Sequence, residues 1–264
     1  TGRTALKIFK PEFSRDVTFL RAELDALLAV SHPNVVRVRD AMFIPEGQGL
    51  KMELLTGPNL RDFTEDQHTT DHRTILEWFD KILDALEALH RSEVFHRDIK
   101  PENLIVVEDG HVLVLVDFGL AGGPEAAIGG GTLAYRPVGV AADAADPALD
   151  LFALTITLHE ALTRIHPFGG GGACNWPVML EPGLPEPLLT LFSQALHEDA
   201  DQRFGSTRKF RSALTEVRRE LGYVDPLAEP EIRPDLTVDP VDGEILHLGP
   251  KVDIRVLPGS ERRT

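Results

Sequence analysis

His96-Arg97-Asp98-Ile99-Lys100-Pro101-Glu102-Asn103 crowds two carboxylates, an ammonium and a carboxamide into one short stretch. Upstream of it, Ile75, Leu76, Phe79, Ile82, Leu83, Leu86 and Leu89 recur at helical spacing, so a long helix with one apolar face is expected to end near His90. Downstream, two apolar runs, Leu104 to Val107 and Val112 to Val116, flank Asp109-Gly110, a hairpin signal. The second run leads directly into Asp117-Phe118-Gly119. A hairpin brings its two ends together, so Asn103 at its start and Asp117 at its finish are expected to face one place. Phosphoryl transfer needs a carboxylate to orient the attacking hydroxyl, hard oxygens to hold magnesium and cations to gather phosphate charge. Asp98, Asp117, Asn103 and Lys100 supply those groups.

Toward the N-terminus, Thr4 to Phe9 reads as a strand, followed by a helix through Val17, Leu20, Leu24, Leu27 and Leu28 with Ser14 as its cap. Ser31-His32-Pro33-Asn34 ends that helix. Val35 to Phe43 and Leu50 to Leu55 then read as strands separated by Pro45-Glu46-Gly47. Toward the C-terminus, helices are expected over Pro147–Thr163, where Asp146 suits the cap, and over Glu186–His197 and Ser206–Leu221. The chain therefore reads as α+β with two lobes: a small, incomplete, β-rich lobe over 1–55 and a larger, mainly helical lobe over 56–222. Residues 223–264 carry repeated prolines, at 226, 230, 234, 240 and 250, and read as a linker. A strand at Val252 to Leu257 would then begin a hairpin or another module.

Composition narrows the class. With 264 residues, 42% of them hydrophobic, the chain can bury a sizeable core. Its 27 Lys and Arg against 42 Asp and Glu give a formal charge of -15, and the basic residues form no run, so no nucleic-acid partner is expected. One cysteine, Cys174, cannot form an internal disulfide, and no apolar stretch has membrane length. A cytoplasmic setting without a membrane segment is the expectation. His68 and His72 have a spacing seen in zinc sites but lack a third ligand.

Taken in order, these motifs resemble the eukaryotic-like serine/threonine protein kinase family over about residues 4 to 222. The resemblance implies a bilobal protein-kinase-like fold with ATP and Mg2+ as cofactors. In it, Ala5-Leu6-Lys7 is similar to the strand whose lysine pairs with the α- and β-phosphates, and Glu23 to that lysine's ion-pair partner. Leu50-Lys51-Met52-Glu53-Leu54-Leu55 is similar to the hinge between lobes: Met52 as gatekeeper, the Glu53 carbonyl and Leu55 amide meeting adenine, with Ala5 and Ile105 completing the adenine site. Asp98 would orient the substrate hydroxyl or accept its proton, Lys100 would stabilise the transferring charge, and Asn103 and Asp117 would hold magnesium. Lys100 also points to the Ser/Thr type, with Thr132 bridging Asp98 and Lys100. Asp150 resembles a buried aspartate that braces the loop, so it stands outside the catalytic set. The substrate implied is a protein Ser or Thr hydroxyl; peptide specificity and oligomeric state are left open.

The pattern departs from the family in three places. The glycine-rich loop that covers the phosphates is not in the sequence: it is expected to precede Thr1, with Thr1-Gly2-Arg3-Thr4 as the turn into the lysine strand, the alternative being a protein that lacks it. Leu120 to Gly131 contains no Ser, Thr or Tyr, so activation by phosphorylation there is not expected. After Tyr135 the family's Ala-Pro-Glu is replaced by Arg136-Pro137-Val138-Gly139, which removes the glutamate expected to pair with Arg203 and leaves Asp143 or Asp146 as substitutes. The alternative is a pseudokinase acting as a nucleotide-binding or scaffold module. A small-molecule kinase of the aminoglycoside or choline type fits less well, because of Lys100-Pro101-Glu102 and of Gly131-Thr132 with Tyr135.

Overall fold

The structure is a computed structural model that describes residues 3–9, 17–45, 47–66, 71–107, 112–121, 131–141, 144, 146–223, 245–247 and 252–257. Ser14, Asp109-Gly110, His68 and Asp143, named above, lie outside them. The architecture is α+β in two lobes. The smaller is built on β1 (Thr4–Phe9), α1 (Val17–Ala29), β2 (Val38–Ile44) and β3 (Gly47–Glu53). β1 and β3 run antiparallel with Lys7 opposite Leu50 and Ala5 opposite Met52, and β2 covers the far edge of β3.

Both strands flanking the Pro45 turn differ from their expected limits. β2 starts at Val38 rather than Val35, because the preceding residues are captured by the other lobe. The Val36 amide donates to the Leu115 carbonyl at 3.0 Å, and the Leu115 amide donates to the Asn34 carbonyl at 2.8 Å. Val35 thus bridges to Leu115 and fastens the lobes together. β3 starts at Gly47 and ends at Glu53, so Leu54 and Leu55 leave the sheet.

The larger lobe holds α2 (Leu60–Asp66), α3 (His72–Arg91), a hairpin of β4 (Leu104–Val107) and β5 (Val112–Leu115), then α4 (Pro147–Thr163), α5 (Glu186–Ala195) and α6 (Thr207–Glu220). α3 presents the predicted apolar face: Ile75, Leu76, Phe79, Ile82, Leu83, Leu86 and Leu89 are all buried. Its first turn is capped by Asp71, which accepts from the Arg73 amide, and α4 starts on Asp146 and Pro147 as read from sequence. α2 was not read from sequence. Asn59 and Asp62 cap it reciprocally, Asn59 accepting from the Asp62 amide at 2.9 Å and donating to the Asp62 carboxylate at 2.8 Å. Gly57 ahead of it has a φ of 152, and a Cβ there would lie 1.9 Å from the Val106 carbonyl oxygen, so only glycine lets the chain pass β4.

The strand expected at Val252 to Leu257 forms as β7 (Val252–Leu257) and is one arm of a hairpin with β6 (Ile245–His247). Its other edge pairs with β1, giving a five-stranded sheet in the order β2-β3-β1-β7-β6. No helix among the described residues is long and apolar enough to cross a membrane.

Candidate active site

The loop between α3 and β4 is held from below by Asp150 in the first turn of α4. Its carboxylate is 1% exposed and accepts from the backbone amides of His96 at 2.9 Å and Arg97 at 2.8 Å. His90 in the last turn of α3 meets it at 2.8 Å through Nε2. Burial alone would raise the Asp150 carboxyl, but His90, His96 and the loop amides outweigh it, and it sits below its ordinary value. His96 is wholly buried; its Nε2 donates to the Val116 carbonyl at 3.1 Å and its ring stands edge-on to Phe118. Burial therefore keeps the imidazole neutral, with its proton affinity below the ordinary value. Arg97 and Asp117 bracket this packing with φ of 66 and 63, the left-handed region that non-glycine residues rarely adopt. Backbone strain is thus concentrated at both ends of the site.

Above that base, Asp98 is the centre of a ring of donors. One oxygen accepts from the amide and the hydroxyl of Thr132, both at 2.9 Å. The other accepts from Lys100 Nζ at 2.8 Å and Asn103 Nδ2 at 3.1 Å. Lys100 also donates to the Thr132 hydroxyl at 2.8 Å, so Thr132 joins the two, and Asn103 Nδ2 reaches the Asp98 carbonyl at 2.8 Å. Burial raises the Asp98 carboxyl, but Lys100 and Thr132 overcome it and hold it below its ordinary value. Gly131 makes room for Thr132: at φ +98, a Cβ there would lie 2.8 Å from the Arg97 carbonyl oxygen.

A second cluster joins three elements. Lys7 on β1 donates to Glu23 on α1 at 2.5 Å and to Asp117, just after β5, at 2.7 Å. Lys7 and Glu23 are almost fully buried, whereas the Asp117 side chain is 37% exposed. Burial favours a neutral Lys7, yet Asp117 and Glu23 reverse that and raise its proton affinity above the ordinary value. Asp117, lifted by burial and pulled down more strongly by Lys7, falls to about 2. Gly119 leaves space for the cluster, since a Cβ there would stand 3.3 Å from Asp117 Oδ1.

The remaining candidates are spread along the junction of the lobes. Ala5 and Lys7 lie on one face of β1, and Met52 is the cross-strand partner of Ala5, so these three share a face of the sheet. Ala5 and Met52 are buried there. Glu53 ends β3 with its amide donating to the Arg37 carbonyl and its carboxylate accepting from the Arg37 amide. Leu55 beyond the strand and Ile105 on β4 pack against the core from its edge. The structure thus joins Lys7, Glu23 and Asp117 directly, and Asp98, Lys100 and Asn103 directly. It relates Ala5 to Met52 by register.

Two arrangements around the site were not foreseen. Glu102 is joined by Arg61 of α2 at 2.5 Å, and Arg61 also donates to the Tyr135 hydroxyl at 2.9 Å. That hydroxyl donates to Glu160 of α4 at 2.6 Å, tying the segment after Thr132 to the loop and to two helices. Arg203, for which Asp143 or Asp146 was expected as a partner, is met in addition by aromatic rings and backbone carbonyls. Its guanidinium lies over the rings of Phe152 and Trp176, 4.8 and 5.2 Å from their centroids, and donates to the carbonyls of His197 and Glu198. Asp146 also favours the Arg203 charge, as does Asp199, while capping α4 through the Ala148 amide. Cys174 is buried with its thiol donating to the Ala134 carbonyl, and burial pushes it up to about 12, so it is not a reactive thiol.

A bilobal fold with a lysine strand, a strained aspartate after a hairpin and a donor-ringed aspartate defines a phosphotransferase class. The family model described as Protein kinase domain matches residues 2–212, and the chain belongs to that family. Among curated proteins it is 33% identical over 221 residues to serine/threonine-protein kinase PkaA of Streptomyces coelicolor, covering 75% of this chain and 40% of that one. It is 30% identical over 239 residues to serine/threonine-protein kinase PknA of Mycobacterium tuberculosis, covering 82% and 55%. With serine/threonine-protein kinase PkaB of Streptomyces coelicolor it is 30% identical over 250 residues, covering 86% and 60%. The chain thus spans about half the length of these relatives.

Proposed function

We propose that the chain is an ATP-dependent serine/threonine protein kinase in which Asp98 receives the substrate hydroxyl. The observation that carries this reading is the donor ring around Asp98. A carboxylate held below its ordinary proton affinity is a weak base, so its first contribution is to orient the hydroxyl. It takes the proton as the bond from the hydroxyl oxygen to the γ-phosphorus forms and the bond from that phosphorus to the β,γ-bridging oxygen breaks, ADP leaving with the bonding electrons. Lys100, already tied to Asp98 and Thr132, would stabilise the charge that develops on the transferring phosphoryl group.

Lys7, held as an ammonium by Glu23 and Asp117, is suited to the α- and β-phosphates. Ala5, Met52, Leu55 and Ile105 would line the adenine site, with the Glu53 carbonyl and Leu55 amide hydrogen-bonding its edge. The chemistry of the donor set fits magnesium. Asn103 turns its Nδ2 toward Asp98, which leaves its amide oxygen outside those bonds, and Asp117 offers the carboxylate oxygen that Lys7 does not hold. Among the described residues no cluster of three His, Cys, Asp or Glu is disposed to hold a metal, so two protein oxygens would be completed by phosphate and water. Bound magnesium would neutralise phosphate charge and orient the γ-phosphate.

The hydroxyl class is tested with matched peptides that carry Ser, Thr or Tyr as the only acceptor. Incorporation of phosphate into Ser or Thr but not Tyr is expected. Transfer to Tyr alone would contradict the assignment, and nucleotide binding without any transfer would favour a pseudokinase.

A further inference from the structure

Thr132 is bonded to both Asp98 and Lys100, so the place of Asp98 depends on the turn that Thr132 opens, Leu133–Tyr135. The stretch before it, Leu120 to Gly131, contains no hydroxyl whose phosphorylation could order it. The turn is fastened from the loop that follows α4. The Ala134 carbonyl, in the middle of the turn, accepts from His166 Nε2 at 2.8 Å and from Cys174 Sγ at 2.9 Å, which fills both of its lone pairs. On the other side of the imidazole, Nδ1 lies 3.1 Å from the amides of Phe168 and of Gly170. Amides only donate and a carbonyl only accepts, so these partners admit one tautomer: Nε2 carries the proton and Nδ1 carries none. Gly169 and Gly170, with φ of 77 and 71, turn the loop back over the ring, a conformation that residues with a side chain rarely adopt. The loop then runs alongside residues 136–138: the Cys174 amide donates to the Arg136 carbonyl at 2.8 Å, and the Val138 amide donates to the Cys174 carbonyl at 3.0 Å. Trp176 anchors the loop on the helical side, its indole donating to the Leu196 carbonyl at 2.8 Å.

We propose that His166 is a positioning residue for phosphoryl transfer: through the Ala134 carbonyl it sets the Leu133–Tyr135 turn, and thereby the hold of Thr132 on Asp98 and Lys100. Cys174 serves the same oxygen from the same loop. His166 acts through the backbone, at one remove from the reacting groups. The effect on transfer rests on the function proposed above; the holding of the turn does not.

His166→Asn and His166→Gln divide the two sides of the ring. An Asn carboxamide oxygen can stand in for Nδ1 and keep the Phe168 and Gly170 amides, but its nitrogen falls short of Ala134. A Gln carboxamide nitrogen can stand in for Nε2 and keep the donor to Ala134. Backbone amide exchange and steady-state transfer to a Ser/Thr peptide are measured for both variants and for the parent protein. In His166→Asn the Thr132 amide should exchange about tenfold faster and kcat should fall about tenfold, with KM for ATP within about twofold of the parent. Amides of α3 and α4 should keep their protection, which excludes general unfolding. His166→Gln should recover most of kcat and of the Thr132 protection, even where the Phe168 and Gly170 amides exchange faster. Parent-like kcat and Thr132 protection in His166→Asn would overturn the proposal. So would a His166→Gln no better than His166→Asn, or loss of protection throughout α3 and α4 in both, which would leave His166 a residue of the fold alone. Faster Thr132 exchange with unchanged kcat would overturn the link to transfer and keep the holding of the turn. A parent protein that protects the Thr132 amide but transfers no phosphate would overturn the function proposed above and not the holding.

Discussion

Asp98 and Asp150 are buried carboxylates with opposite duties, and substitution should separate them. Asp150 answers two loop amides and His90, so Asp150→Ala leaves three donors without an acceptor in a dry setting. It should lower stability by about 3 kcal/mol or more in urea unfolding. Asp98→Asn keeps the volume and much of the hydrogen bonding; it should unfold within about 1 kcal/mol of the parent but lower the transfer rate by about 10²–10⁴. The contacts of Asp98 with Lys100 and Asn103 were legible in sequence because one short loop holds all three. His90 beside Asp150, and Arg61 with Tyr135 and Glu160, were not, because each joins elements far apart in sequence that meet only once helices pack.

Among the elements, the long helices were read nearly to the residue, since apolar spacing and caps such as Asp146-Pro147 are local signals. α2 escaped because seven residues are too few for a period to declare itself. The limits of β2 moved because Leu115 competes for Val35 and Val36, a tertiary choice that strand propensity does not contain. The loss of the Ala-Pro-Glu motif pointed to Asp143 or Asp146 as partners of Arg203; Asp146 does favour its charge, and the aromatic residues Phe152 of α4 and Trp176 before α5 add contacts that the motif does not announce. Arg203→Ala should therefore cost about 1–2 kcal/mol. Arg203→Lys should recover little of that, because a lysine cannot lie flat on two rings and serve two carbonyls together. Recovery of the full parent stability by Arg203→Lys, measured by thermal or urea unfolding, would point to charge alone.

For the whole molecule, the buried histidines set a pH dependence. His96 and His159 are fully enclosed, and burial lowers both below the ordinary value of 6.5. The unfolded chain therefore binds protons first as pH falls through about 6.5, and folding loses up to about 1.4 kcal/mol per pH unit for each. The depressed carboxyls of Asp98, Asp117 and Asp150 act lower down: their contribution is full above about pH 4 and fades as pH falls toward 2. Urea unfolding between pH 8 and 5 should show stability declining from near 6.5, and a flat profile would contradict the buried, neutral histidines. At this scale the two-lobed fold was legible because its motifs fall in a fixed order, while the closing of the small sheet by β7 was not, since nothing local names a strand's distant partner.

The central claim is that Asp98 and Asp117 serve one phosphoryl transfer. Its most direct measurement is the passage of radiolabelled γ-phosphate from ATP to a Ser/Thr protein substrate, with and without magnesium, by the parent protein, Asp98→Asn and Asp117→Asn. The account predicts magnesium-dependent transfer by the parent, with ATP binding kept but transfer lost in Asp98→Asn, and both magnesium dependence and transfer lost in Asp117→Asn. Transfer at the parent rate by either variant, or none by a parent protein that binds ATP and magnesium, would contradict it.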